Sequence, residues 1–350
     1  MIWHLIVSFG LVLWNGDSDI QLEGATEFSY LDWRNMQVAR DGSLLYADGP
    51  ELWHWDEKGE LLRILTKDAE GHAFGLIPSF YFDAGRGVYW IIDSSRSRSS
   101  FFDRKGDPLG FGYHVPADPQ VEGTRQVYYR FLIPVGSRIF VLDDRDLGEW
   151  SSPKVLQQVD FKKTESGVEV WPVGPAFGEI SSRQKAYNYD FKRHWIVQSG
   201  YSKTFMVVDQ LSTHIRFFEP KPRASISDGL YPRDKAVPIV MRERVPPPPP
   251  EKGRECDTQE CFSKWFNSFT RIEGFFPLGS DYLVGYGIPP ERAGEVRRLG
   301  LQKIDGQGIA RGKSQILDGY LMGTWRDRVY VLTEEGPPGN KTYRVSKLSL

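Results

Sequence analysis

A short phrase recurs along this chain and limits the folds open to it: an apolar strand, then a tight turn built on an apolar residue and an Asp. The opening copy is GSLLYAD (Gly42–Asp48) followed by WHWDEKGELL (Trp53–Leu62). Further strand cores centre on Val88 in GVYWIID, Ile139 in SRIFVLDD, Trp195 in RHWIVQSG, Tyr282 in SDYLVGYG and Val329 in DRVYVLTEE. Helical repeats of similar period would space apolar residues at i, i+3 and i+4, which these segments do not do. The predicted fold class is therefore all-β: a six-bladed β-propeller with four short strands per blade. The interval between Trp195 and Tyr282 exceeds the others and predicts a long Pro-rich, partly helical insertion at about 221–270.

The second half of the phrase recurs as WDEKG (Trp55–Gly59), FDRKG (Phe102–Gly106), VDFKKTESG (Val159–Gly167), VDQLS (Val208–Ser212) and IDGQG (Ile304–Gly308). Its chemistry is that of a hairpin turn, in which Asp caps backbone amides and Gly supplies positive φ. Asp56, Asp103, Asp160, Asp209 and Asp305 are accordingly read as structural.

These repeats resemble the six-bladed propellers of the NHL and TolB-like kind, from about Gln37 to Leu350. The resemblance implies an architecture and no particular activity, since propellers host unrelated functions. The closing YRVSKLSL strand would be joined by an earlier strand near Ile20–Trp33, completing the ring and removing exposed edges. The propeller domain is read as 17–350. Residues 1–16 (MIWHLIVSFGLVLWNG) hold an apolar run too short for a membrane span of about 20 residues. They read as a signal peptide, hence a periplasmic or secreted protein; if they are instead a first strand, the protein is cytoplasmic.

A net charge of −2 offers no global attraction for nucleic acid or an anionic membrane. Only two cysteines occur, Cys256 and Cys261, with no partner set for zinc. They can close a disulfide if the segment is irregular, whereas an ideal helix would carry them apart. The five prolines of VPPPPPEKG (Val245–Gly253) favour a stiff strap over the surface. Phe262, Trp265, Phe266 and Phe269 would share one face of a short helix that packs on the propeller.

In a four-stranded blade the loop between second and third strands emerges on the same face as the link to the next blade. The long loops fall on that link face, and rigid scaffolds bind through such loops. Acids collect there at strand ends: Asp48, Asp93, Asp143, Asp144 and Glu334, interleaved with Arg96, Arg145 and Arg292. They form the ligand-binding candidates together with Trp150, Trp171 and Tyr286. The other strand tryptophans, among them Trp55, Trp90 and Trp195, are read as wedge fillers between blades.

The six histidines show no HExxH spacing, and no GxSxG elbow or phosphate loop is present. No catalytic residue and no cofactor is predicted, although a ring of carboxylates could hold a divalent cation in the channel. The expected function is non-enzymatic binding of a protein or a carbohydrate-like ligand on the link face, by a monomer without a membrane span. The alternatives are a metal-dependent hydrolase of the lactonase type and a structural scaffold subunit.

Overall fold

The fold was analysed in a computed structural model. The structure describes residues 19–25, 28, 35–114, 125–126, 131–135, 137–142, 156–174, 177, 194–198, 203–212, 214–220, 230–232, 236–239, 255–290, 298–337 and 340–350. The 1–16 segment, the polyproline tract, and Asp143, Asp144, Arg145, Trp150 and Arg292 lie outside the described residues.

Strand β1 (Asp19–Gln21) precedes an antiparallel meander of β2 (Met36–Val38), β3 (Leu44–Asp48), β4 (Glu51–Trp55) and β5 (Leu61–Leu65). A second meander holds β6 (Ser79–Asp83), β7 (Val88–Asp93), β8 (Arg98–Asp103) and β9 (Pro108–His114), with β10 (Arg125–Gln126) against β9. A third holds β11 (Phe131–Val135), β12 (Arg138–Leu142), β13 (Leu156–Thr164) and β14 (Gly167–Pro172). The fourth holds β15 (His194–Gln198), β16 (Phe205–Asp209), β17 (His214–Pro220), β18 (Leu230–Pro232) and β19 (Val237–Pro238). Helix α1 (Gln259–Phe266) leads to β20 (Arg271–Leu278), β21 (Asp281–Ile288), β22 (Arg298–Ile304) and β23 (Ala310–Asp318). The chain ends with β24 (Tyr320–Trp325), β25 (Arg328–Glu335) and β26 (Thr342–Leu348), and β26 also pairs antiparallel with β1.

The result is an all-β, propeller-like arrangement of small sheets, but not six separate ones. Four sheets of four or five strands stand alone, and the second and third meanders share one nine-stranded sheet. Their outer strands β14 and β9 run parallel, Val168 opposite Gly112. Glycine permits this fusion: a Cβ on Gly110 would lie 2.9 Å from the Cα of Gly167. Two further expectations are corrected. Part of the 221–270 interval is not insertion, because β18 and β19 extend the fourth sheet along β17. Asp160 is no turn residue; it sits within β13 opposite Trp171 and pairs with Arg86 at 2.9 Å.

Middle strands such as β3 and β7 are apolar on both faces, and the reason is visible in the packing. Leu44 and Tyr46 join the cluster holding Tyr330 and Tyr343, while Leu45 and Ala47 join Phe82, Tyr89 and Ile91 on the other side. Each sheet is thus sandwiched, so alternation of apolar and polar residues is lost. Trp55, Trp90 and Trp195 fill these inter-sheet clusters.

The Asp turns follow the expected chemistry at Asp56, Asp103 and Asp305. Asp305 Oδ1 accepts the N–H groups of Gln307 and Ile309, both at 2.9 Å, and Gly308 has φ +82°. Asp209 differs in position. Its turn joins β16 to β17, the second and third strands of their meander, so it belongs to the link face.

Candidate functional site

The first strand of every meander, β2, β6, β11, β15, β20 or β24, ends its sheet and has no second partner strand among the described residues. These six strands surround a cavity of about 280 Å³. Side chains stitch neighbouring first strands together. The Gln37 carboxamide accepts from Phe82 N–H at 3.2 Å, Ser79 Oγ accepts from Leu132 N–H at 3.0 Å, and Thr324 Oγ1 donates to the Pro277 carbonyl at 2.5 Å. The walls are largely apolar, with Met36, Trp195, Phe275 and Met322 among the lining residues. Arg40, His194 and Glu273 bring charge or polarity to it.

Chain direction orients this cavity. Every first strand is entered from the link face, so its opening residues lie toward that face. His194 opens β15 and Glu273 follows Arg271 at the start of β20, whereas Arg40 follows the end of β2.

A concentration of buried polar side chains stands at the β15/β20 junction: His194, Asp209, Gln210, Thr270, Arg271 and Glu273 are each at most 6% exposed. Backbone geometry brings them together. His194 is the register partner of Asp209, and Ile272 N–H donates to the Gln210 carbonyl at 2.9 Å. Asp209 Oδ1 caps Leu211 N–H at 3.0 Å, and Oδ2 lies 3.5 Å from the Arg216 guanidinium. Arg271 Nη2 is 3.8 Å from Glu273. Neither polar atom of the Gln210 carboxamide has a hydrogen-bond partner among the described residues. Burying polar groups in such density is costly unless they serve each other or a ligand.

Helix α1 packs over this junction. Thr258 caps it, accepting from Cys261 N–H at 3.2 Å, and Cys256 and Cys261 are joined by a disulfide with Cα atoms 5.2 Å apart. The pairing is compatible with the helix because Cys256 precedes it. At the other end Phe269 is fully buried against Leu211, with Trp265 and Phe266 beside them. Of the four aromatic residues expected on one face, Trp265, Phe266 and Phe269 pack on the protein, and the Phe262 side chain lies outside the described residues.

Of the sequence-derived ligand-binding candidates, only Asp48, Asp93, Arg96, Trp171, Tyr286 and Glu334 fall among the described residues, and none of these six lines the cavity. Asp48 is buried at the end of β3. Asp93 is fully buried, and its Oδ1 accepts from Ser95 N–H at 2.9 Å and Ser95 Oγ at 2.6 Å, while Oδ2 has no partner among the described residues. Arg96 turns to Asp68 at 3.1 Å, and Arg98 also binds that carboxylate. Asp68 was missed although KDAEGH repeats the Asp-x-x-Gly spacing of the hairpin turns; it uses the same turn in the link from β5 to β6. Burial works to raise its pKa, yet the amides of His72 and Glu70 and the Arg98 guanidinium outweigh that and hold it below the usual carboxylate range.

Trp171 lies half-buried on the outer strand β14, and Glu334 pairs with Lys341 at 2.6 Å on β25. Tyr286 is core rather than surface: it is fully buried, and its ring occupies the space a Cβ on Gly300 would need. Among the described residues, no three His, Cys, Asp or Glu side chains converge on a point where a metal ion could sit. No described helix is long and apolar enough to cross a membrane. Sequence alone hid His194 and Glu273 because both stand inside apolar strands, far apart in the chain.

No protein-family model and no curated protein matches the sequence. Solved structures do resemble the fold. A DUF4221 family member from Bacteroides vulgatus aligns over 94% of this chain and 95% of its own, at 11% identity and a TM-score of 0.53. A Bacteroides fragilis protein, provisionally described as exported, aligns over 95% of this chain and 94% of its own, at 10% identity and a TM-score of 0.55. A gluconolactonase from Xanthomonas campestris covers 96% of this chain at 12% identity with a TM-score of 0.45. At such identities the likeness to the two Bacteroides structures is one of fold alone.

Proposed function

We propose that this protein is a non-enzymatic binding propeller that takes its ligand at the link-face end of the central cavity. Counted by meanders, with the nine-stranded sheet as two, the ring has six blades. The observation that carries the reading is the buried polar junction: six polar side chains gather where two first strands meet, and two of them, His194 and Glu273, line the cavity. A mostly apolar pocket with a few convergent polar groups is the usual form of a ligand site. The protein works outside the cytoplasm in this reading, supported by the apolar 1–16 run and by a disulfide, which persists in oxidising compartments.

The test is a thermal-shift survey of small molecules of every charge class against the wild type and a His194→Ala variant, which removes a polar group from the link-face end of the cavity. Ligands that raise the midpoint of the wild type alone are expected. Identical responses from both proteins across the survey would overturn the reading.

A further inference from the structure

We infer that helix α1 and its flanks, residues 255–269, form a lid that swings as one body off the polar junction and uncovers the Gln210 carboxamide. Its motion does not depend on the cavity taking a ligand.

The closed position carries a polar cost. Gln210 stands in the turn between β16 and β17 and is 1% exposed, and neither Nε2 nor Oε1 has a hydrogen-bond partner among the described residues. A carboxamide has two N–H donors and an oxygen with two lone pairs, and burying them unserved is unfavourable. Gln37 shows the served case: its carboxamide accepts from Phe82 N–H at 3.2 Å and donates to the Phe82 carbonyl at 3.5 Å. The 209–212 turn does not need the Gln210 side chain. Asp209 Oδ1 accepts from Leu211 N–H, and the Asp209 carbonyl accepts from Ser212 N–H, both at 3.0 Å. An apolar side chain of the same length would suit the closed state better, so the glutamine is matched to a state in which it is uncovered.

The lid is shallowly seated and supports itself. Among the described side chains of 255–268 none is buried: Cys256, Trp265 and Phe266 are half-buried, and the others, Glu260, Lys264 and Asn267 among them, are exposed. Phe269, fully buried with Leu211, is the anchor. A helix of eight residues melts readily when detached. However, α1 carries supports of its own: the Cys256–Cys261 disulfide, the Thr258 cap on Cys261 N–H, the Glu260–Lys264 pair at 2.7 Å, and Ser268 Oγ donating to the Trp265 carbonyl at 2.6 Å. All four join residues within 255–269, so they travel with the helix. Lifting breaks the contact from Arg271 to the Phe266 carbonyl and exposes Phe269, while it hydrates Gln210. Residue 210 therefore biases the balance between closed and open.

The experiment combines hydroxyl-radical footprinting of Leu211 and Phe269 with amide hydrogen exchange in α1, on the full chain. In the wild type Phe269 is expected to be labelled while the 263–266 amides stay more strongly protected than its ring, each relative to an unstructured peptide. Gln210→Leu should slow Phe269 labelling by about fivefold or more, because the closed state no longer buries an unserved carboxamide. Gln210→Met, unbranched like glutamine, should act the same way and guards against misfit of the leucine. In Cys256→Ser/Cys261→Ser the amides should lose their excess protection, since the detached helix then melts. Faster Phe269 labelling in both residue-210 variants would show that the closed state serves the carboxamide, through an ordered water for instance, and would overturn the inference. So would wild-type amides that lose protection in step with Phe269, which is melting and not swinging, or a Phe269 ring labelled only on global unfolding.

Discussion

The guanidinium of Arg271 lies 3.6 Å over the ring of Phe266 and donates through Nη1 to the Phe266 carbonyl at 2.9 Å. One residue thereby ties the end of helix α1 to the start of β20, two residues from a cavity-lining carboxylate. An eight-residue helix is marginal alone in water, so its persistence depends on such ties.

Arg271→Met should therefore cost about 3 kcal/mol, because it removes the Arg271 guanidinium from beside the buried Glu273 carboxylate. Adding Glu273→Gln should recover a sizeable part of that loss. Urea denaturation of the two single variants and the double variant measures the coupling, and strict additivity would show that the pair does not interact.

Asp68 predicts a second large effect. Its carboxylate accepts from Glu70 N–H at 2.9 Å and His72 N–H at 3.0 Å while pairing with Arg96 and Arg98. Asp68→Ala should cost about 3 kcal/mol, whereas Glu70→Ala, at an exposed partner of Arg98, should cost under about 1 kcal/mol. Equal midpoint shifts would contradict this ranking.

Acid sensitivity should come in part from His54. Burial drives its pKa down to about 4, and its Nδ1 lies 2.5 Å from the Tyr89 hydroxyl. The native imidazole stays neutral while the unfolded one binds a proton below its ordinary value of about 6.5. The contribution is thus complete above that pH and declines as pH falls toward 4, by about 3 kcal/mol in all. Denaturation midpoints at pH 7.5 and 4.5 should differ less in His54→Phe than in the wild type.

Two glycines should respond unequally to Ala. Gly59 has φ +90°, and a Cβ there would meet the Gln21 carbonyl oxygen at 2.3 Å, displacing the strand that pairs with β26. Gly49 also has positive φ, yet nothing lies within 4 Å of its added atom. Gly59→Ala should cost about 2 kcal/mol or more and Gly49→Ala about 1 kcal/mol, the strain of the left-handed conformation alone. Hydrogen exchange in 19–21 should rise for the first variant only.

What the sequence determined by itself was local: the strands, the Asp and Gly of their turns, the wedge-filling tryptophans and the aromatic face of α1. Each depends on residues near one another in the chain, as in DEKG or LLYAD. Only the tertiary structure decided which turns share a face, as with Asp209, and which distant polar residues meet. His194 and Glu273 look like interruptions in apolar strands until β15 and β20 stand side by side around the cavity. The fusion of two meanders through β9 and β14 was equally hidden, because it depends on Gly110 meeting Gly167 across the sheet. Non-local juxtaposition is set by how sheets pack around the ring, and periodicity along the chain carries no record of it.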